Sequence, residues 1–248
     1  MIRFYLAGRV AVEGRALVDQ SDLAGPQGRR VLVKLVLERD RPVPMDELAA
    51  ATWGDDVPAS SDQSLRAVIS RLRAAITAAG GDGRRLVAES GCYQLRLPDA
   101  WVDVEEAANA IDRAEGALRT GDITAAWSEA TVATAIARRP LLPGEDAPWM
   151  DAWRGHLDQV MMRSLAVLAC VWQHRGDHVL AVEMATQLVA LDPLREASHR
   201  LLMSSHLGAG DNARAAQAYA VCRDLLRSEL GIEPSPTTRE LHQRILTA

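Results

Sequence analysis

Three Gly-Asp pairs punctuate the second half of this 248-residue chain, at 121–122, 176–177 and 210–211, and the last two stand 34 residues apart. Glycine supplies the backbone angles of a tight reversal. The sequence between the pairs is rich in alanine and leucine and has the composition of helices. A 34-residue interval is one helix-turn-helix unit, and such units stack so that each buries its apolar face on the next. The first interval, 55 residues, contains the proline-rich stretch RRPLLPGEDAPW at 138–149. Asp192-Pro193 follows the second pair by 16 residues, where proline opens a further helix. Residues 99–248 therefore read as an all-α array of stacked hairpins with a concave face.

The first half obeys a different pattern. From Ser60 the chain reads SSDQSLRAVISRLRAAIT, with N-capping residues followed by Leu65, Val68, Ile69, Leu72 and Ile76 at helical spacing. Gln63, Arg66, Ser70, Arg73 and Thr77 share a neighbouring outward sector with two cations and no carboxylate. That sector suits a polyanion, although it also suits a plain solvated face.

Elements before and after this helix give it a context. IRFYLA (2–7), VAVE (10–13) and Ala16 to Val18 are short β-prone runs. Gly25-Pro26-Gln27-Gly28 breaks the chain, and the spacing of Val31, Leu32, Leu35 and Val36 predicts a helix over 27–39. Pro42 and Pro44 end the connection to a short helix that starts at Met45-Asp46-Glu47 and stops at Trp53-Gly54. After Gly80-Gly81-Asp82-Gly83, the runs Arg85 to Ala88 and Tyr93 to Leu97 form a hairpin. Three helices followed by a hairpin is the layout of a winged helix, in which the third helix enters the major groove of DNA.

Charge divides the chain in the same place. Residues 1–98 hold 14 Arg+Lys against 12 Asp+Glu, whereas 99–248 hold 14 against 21, within a net charge of −5. Nucleic-acid binding must then be local, and the halves have different partners. The three cysteines, Cys92, Cys170 and Cys222, lack the spacing of a disulfide framework or zinc site. Arg3 and Arg9 interrupt any apolar leader, and the longest apolar run, Leu165 to Trp172, is far shorter than the roughly 20 residues of a membrane span. The expectation is a cytoplasmic protein with no membrane attachment.

LAAATWGDDVPASSDQSLRAVISRLRAAI followed by RLVAESGCYQLRL resembles the OmpR-type winged-helix domain at the head of SARP-family (antibiotic regulatory protein) activators. The shared marks are the tryptophan-glycine-acid end of the second helix, the S-R-L-R of the third and the G-x-Y of the wing. AVEMATQLVALDPLREASHRLLMSSHLGAGDNARAAQAYAVCRDLLRSELGIEPSPTTRELHQRIL is similar to the bacterial transcriptional activator domain of that family, with L-G-I-E-P-S-P-T-T-R-x-L (Leu230 to Leu241) its most distinctive run. The resemblance implies a mainly α protein: an OmpR-type winged helix-turn-helix with small sheets over 1–98, then a tetratricopeptide-like domain over 99–248. It makes 60–78 the recognition helix and 85–97 the wing. It also implies tandem direct repeats near a promoter as target, self-association as a dimer on DNA, and recruitment of RNA polymerase through its sigma and β subunits. No GxxxxGK[ST] loop occurs, so the resemblance is to short members without an ATPase module. Two residues depart from the family pattern: Glu89 at the wing tip and Asp62 at the helix start oppose the DNA phosphates.

No residue set reads as catalytic. Asp55-Asp56, Glu105-Glu106 and Glu145-Asp146 sit in turns or at helix starts, and a turn separates His174 from His178. No nucleophile elbow is present, and no cofactor or metal is expected. Cys170 and Cys222 lie on apolar helical faces, and Trp127, Trp172 and Tyr219 fit positions where repeat helices interdigitate. Trp149 and Trp153, beside the proline-rich stretch, are candidates for a partner surface.

The first functional reading is a sequence-specific DNA-binding transcriptional activator. Arg66 and Arg73 read bases, Gln63, Ser70 and Thr77 contact bases or phosphates, and Arg71, Arg84 and Arg85 hold the backbone from the flanks. The alternative is a repeat-type protein-interaction or ligand-sensing regulator whose winged helix reads DNA weakly or not at all.

Overall fold

The computed structural model describes residues 1–247, which form two compact units: Met1–Ala107 with Ile136–Leu157, and Ala108–Ala135 with the residues from Asp158 onward.

In the first unit, β1 (Arg3–Tyr5), β2 (Ala11–Glu13) and β3 (Leu17–Val18) form an antiparallel meander, as the β-prone runs predict. A fourth strand, β7 (Trp101–Val102), which no β-prone run marks, joins parallel to β1 with Phe4 opposite Val102. The residue after β7 fixes that pairing. The Asp103 carboxylate is buried and accepts the N–H groups of Leu6 (2.9 Å), Ala7 (3.0 Å) and Val104 (2.8 Å). Burial pushes its pKa above the ordinary value, and the three backbone donors only partly offset that.

Helices α1 (Gly25–Leu37), α2 (Met45–Trp53) and α3 (Ser61–Ala78) follow. Helix α1 starts earlier than the spacing predicts. The Gly25-Pro26 pair opens the helix instead of breaking the chain, because proline in a first turn forgoes only an N–H that has no partner there. The run Val43–Pro44 is strand β4, paired with β6 (Cys92–Leu95), which pairs in turn with β5 (Leu86–Glu89). Pro44 is tolerated because β4 is the edge of this three-stranded sheet. The core of the unit gathers Phe4, Leu6, Leu32, Leu35, Leu48, Leu65, Ile69, Leu72 and Leu95.

The proline-rich stretch belongs to this unit and does not present a free tryptophan surface. Leu141 and Leu142 are buried, Ala7 bridges to Leu141, and the Leu142 N–H donates to the Leu6 carbonyl at 3.1 Å. Glu145 pairs with Arg30, and the Trp149 indole donates to the Ala51 carbonyl at 3.2 Å beneath the Lys34 ammonium. Trp149 is therefore half-buried packing, and Trp153 packs against the same core.

The remaining helices are α4 (Asp103–Thr120), α5 (Ile123–Ala137), α6 (Asp151–Arg175), α7 (His178–Leu191), α8 (Glu196–Gly208), α9 (Asn212–Leu230) and α10 (Pro236–Thr247). In the second unit the Gly-Asp pairs repeat one device. Gly121, Gly176 and Gly210 adopt φ of 79°, 76° and 75°. Asp122, Asp177 and Asp211 then accept the N–H three residues ahead, at 2.9, 3.1 and 3.0 Å. Glycine permits the reversal and aspartate caps the next helix. Pro193, by contrast, does not open α8. It lies in the preceding turn, and its carbonyl bonds His199 Nε2 at 2.7 Å.

The distinctive C-terminal run is a clasp. Gly231 ends α9 in the left-handed region, and Ser235 precedes α10 with Pro236 as its first residue. The Glu196 carboxylate accepts the Ser235 N–H (2.9 Å), the Ser235 hydroxyl (2.8 Å) and the Thr238 hydroxyl (2.5 Å), while Arg200 donates to Thr238 Oγ1. Burial raises the Glu196 pKa, but these donors outweigh it and hold the group below the ordinary carboxylate range. Tyr219 stacks on His242 at 3.8 Å, whereas Trp127 is exposed and forms a surface stack with Arg175 and the half-buried Trp172. The expectation that Trp127 interdigitates in the core does not hold, since its ring is exposed and stacks with the Arg175 guanidinium.

Candidate nucleic-acid interface

Helix α3 buries Leu65, Val68, Ile69, Leu72, Ala75 and Ile76, the stripe set by the sequence spacing. At about 100° per residue, the side opposite that stripe carries Gln63, Ala67, Ser70 and Ala74. Arg66 stands on one flank of this row and Arg71 on the other. Gln63, Arg66, Ser70 and Arg71 are all exposed. The small alanines leave the row flat enough for a groove edge to approach.

Arg73 has a different setting from Arg66. It lies closer to the buried stripe and is half-buried, and its Nε–H donates to the Leu86 carbonyl at 2.9 Å. This bond joins α3 to the first strand of the hairpin, β5. Thr77 is also committed internally, its hydroxyl donating to the Arg73 carbonyl at 2.9 Å. The short 3₁₀ turn Gly83–Arg85 packs on the same helical turn. A Cβ at Gly83 would meet the Arg73 carbonyl oxygen at 2.2 Å and Thr77 Oγ1 at 2.7 Å, so only glycine fits.

Arg84 projects into solvent but pairs with Asp82 at 2.9 Å, which raises the arginine pKa and lowers that of the aspartate. Arg85 is exposed and forms no ion pair, and its carbonyl accepts the Arg96 N–H at 2.8 Å at the foot of the wing. The wing turns through Ser90 (φ 50°) and Gly91 (φ 77°), the two left-handed residues that match the twist of a two-residue hairpin. The Gly91 carbonyl accepts the Met45 N–H at 3.1 Å, anchoring the tip against the start of α2.

The two acidic residues part company. Glu89 is matched by Arg96 across the wing at 3.1 Å, so the wing carries a neutralised pair instead of a bare negative charge. Asp62 remains exposed in the first turn of α3 with no ion pair, and it does not cap the helix, whose N-cap position is Ser60.

Arginines in residues 1–98 fall into two sets. Arg3, Arg9, Arg29, Arg30, Arg39, Arg41, Arg84 and Arg96 each pair with a carboxylate. Among the described residues, Arg15, Arg66, Arg71, Arg73 and Arg85 form no ion pair, and four of these five lie on α3 or the turn after it. Arg15 is the one the sequence did not single out. Its N–H donates to the Ala79 carbonyl at 2.7 Å, which sets the exposed guanidinium at the C-terminal end of α3. Only tertiary pairing reveals it, because β2 and α3 are distant in sequence. No cluster of His, Cys, Asp or Glu that could hold a metal is present among the described residues, and no helix is long and apolar enough to cross a membrane.

A winged helix with an unpaired cationic face, followed by capped helical hairpins, defines a class of bacterial gene regulators. Residues 23–92 match the family model "Transcriptional regulatory protein, C terminal", and residues 102–246 match "Bacterial transcriptional activator domain". The chain belongs to the SARP family of transcriptional regulators. It is 34% identical over its whole length to the regulatory protein AfsR of Streptomyces coelicolor, of which it spans 24%. It is 29% identical over 89% of its length to the transcriptional regulatory protein EmbR of Mycobacterium tuberculosis, of which it spans 58%. The solved structure of Mycobacterium tuberculosis EmbR in complex with low affinity phosphopeptide superposes with a TM-score of 0.84 at 26% identity, covering 99% of this chain and 65% of that one. This chain thus spans about a quarter of the AfsR proteins and under two thirds of EmbR.

Proposed function

We propose that residues 1–98 read double-stranded DNA through α3 and that residues 99–248 act as the activator domain. The observation that carries this reading is that, among the described residues of 1–98, four of the five arginines without an ion pair lie on α3 and its following turn, while the other eight are held by carboxylates. Unpaired guanidinium groups on an exposed helix face are held ready for phosphate and guanine, whereas those already paired would have to give up a carboxylate first. Arg66, with Gln63 and Ser70, faces base edges. Arg71, Arg85 and Arg15 contact phosphates, and Arg84 joins them only by releasing Asp82. Arg73 and Thr77 act mainly by fixing helix and wing in one arrangement, in place of the direct contact read from the sequence.

The resemblance to SARP activators supports direct repeats near a promoter as the target, two copies bound side by side, and contacts to the sigma and β subunits of RNA polymerase. A winged helix with a net charge of only +2 binds weakly as one copy, and paired binding raises its effective affinity. The experiment is a titration of the chain against its own upstream promoter DNA and a scrambled duplex at several salt concentrations. Discrimination between the duplexes that disappears in Arg66→Ala supports the reading. Equal binding to both duplexes by the unaltered chain, or no binding, overturns it.

A further inference from the structure

A cavity of about 210 Å³ lies within the second unit, between the later turns of α4, the middle of α6, the end of α7 and the first turn of α8. Its walls are mostly apolar, with Met162, Val167, Leu188 and Leu201 contributing the larger side chains. One polar atom in the lining has no partner. Ser198 is 1% exposed and its hydroxyl makes no hydrogen bond, although a serine on a helix ordinarily returns its O–H to the preceding turn. Ser164, on α6, does so at 2.7 Å.

The charges around the cavity are distributed unequally. Arg163 is already paired with two carboxylates, donating to Glu115 twice at 2.8 Å and to Asp112 at 2.6 Å. Arg195, also in the lining, forms no ion pair and occupies the N-cap position of α8. Ala197, in the first turn of this 13-residue helix, completes that edge. First-turn N–H groups and the positive end of the helix dipole favour an anion there. The cavity thus has one polar, cationic edge with a buried unpartnered hydroxyl, and an apolar remainder. Its volume holds on the order of ten non-hydrogen atoms, since a water occupies about 30 Å³ in the liquid.

We propose that this cavity binds a small monocarboxylic acid with an apolar body. The carboxylate is held by Arg195, the Ser198 hydroxyl and the first turn of α8, and the apolar body packs on Met162, Val167, Leu188 and Leu201. A dianion finds no second free cation in the lining, and an uncharged molecule leaves Arg195 unused. The inference is independent of how the winged helix meets DNA.

The test is titration calorimetry of the full chain with octanoate, 4-phenylbutyrate and the uncharged 1-octanol, alongside thermal denaturation. At least one acid binds with 1:1 stoichiometry and a Kd below about 1 mM, and raises the melting temperature. Arg195→Ala, a change at an exposed position, weakens that acid about tenfold or more, and Ser198→Ala weakens it several-fold. Ala166 on α6 also lines the cavity, and Ala166→Leu, which fills it, abolishes binding. 1-Octanol binds at least about tenfold more weakly than octanoate. Failure of both acids to bind, an unchanged Kd in Arg195→Ala or Ala166→Leu, or equal affinity for 1-octanol overturns the proposal. DNA binding by Arg195→Ala is measured in parallel, so loss of the acid site and failure of DNA reading are told apart.

Discussion

Arg73 Nε lies 2.9 Å from the carbonyl oxygen of Leu86, so a cation on α3 is hydrogen-bonded to the first strand of the wing. Arg66, two turns earlier on the same helix, has no such partner. Two arginines that look equivalent in the run S-L-R-A-V-I-S-R-L-R therefore have different uses, and their replacement separates affinity from specificity.

Arg66→Ala lowers affinity for the target duplex by about 1–3 kcal/mol and leaves scrambled-DNA affinity nearly unchanged. Arg73→Ala weakens both duplexes alike and lowers thermal stability by about 1 kcal/mol, the usual net loss for a hydrogen bond. Fluorescence anisotropy on the two duplexes, with a melting curve for each variant, reads both effects. Loss of discrimination in Arg73→Ala with unchanged stability would contradict the assignment.

The proposed phosphate contacts of Arg15 and Arg85 predict a change in salt dependence and not in sequence preference. Replacing either by alanine reduces the slope of log K against log salt concentration by about 1. Arg84→Ala gives a smaller reduction, because Asp82 already holds that guanidinium.

Among the described residues, Asp103 is the only acceptor for the N–H groups of Leu6 and Ala7. Asp103→Ala strands those buried donors and costs about 3 kcal/mol, whereas Asp103→Asn keeps one acceptor oxygen and costs less. Chemical denaturation of both variants checks the order. Burial holds the Asp103 pKa above its ordinary value, with the three backbone donors opposing it, so this group favours folding more when protonated than when ionised.

Glu47 titrates with the opposite sign. The Arg41 hydrogen bond, working against burial and helped by Lys34, holds its carboxyl down to about 2 against an ordinary 4.5. A depressed folded-state pKa gives stability that is present above about 4.5 and is lost as pH falls toward 2. The site is partly exposed, so solvent screening limits the effect to about 1 kcal/mol. Glu47→Gln flattens the acid limb of melting temperature against pH by that amount, and an unchanged limb would refute the assignment.

The 34-residue device predicts its own cost. Gly176→Ala forces a side chain into φ of 76° and Asp177→Ala removes the cap on Leu180, each losing about 1 kcal/mol. Thermal denaturation of the two single variants measures both.

Local periodicity made much of this molecule legible in advance. The stripe of α3, the wing hairpin and the Gly-Asp turns all depend on residues within one or two turns of each other, where spacing alone dictates which face is buried. The aspartates' capping role was less legible, because an Asp after a Gly reads equally as turn and as cap until the N–H it accepts is located. Trp149 and Trp153 misled for a related reason, since an aromatic beside prolines carries no record of the core it packs on. The L-G-I-E-P-S-P-T-T-R run marked the family without disclosing that Ser235 and Thr238 serve Glu196, 39 and 42 residues away.

By itself the sequence determined which residues of Ser61–Ala78 face inward and where the helical hairpins turn, because these follow from backbone geometry and short-range spacing, and its motifs carried the resemblance to the family. Only the tertiary structure decided which cations are free. Pairing depends on carboxylates brought close from distant segments, such as Glu105 to Arg39 and Glu145 to Arg30. It left Arg66 unpaired, turned Arg73 inward to Leu86 and brought Arg15 to the end of α3, where the Arg15 and Ala16 N–H groups both donate to the Ala79 carbonyl.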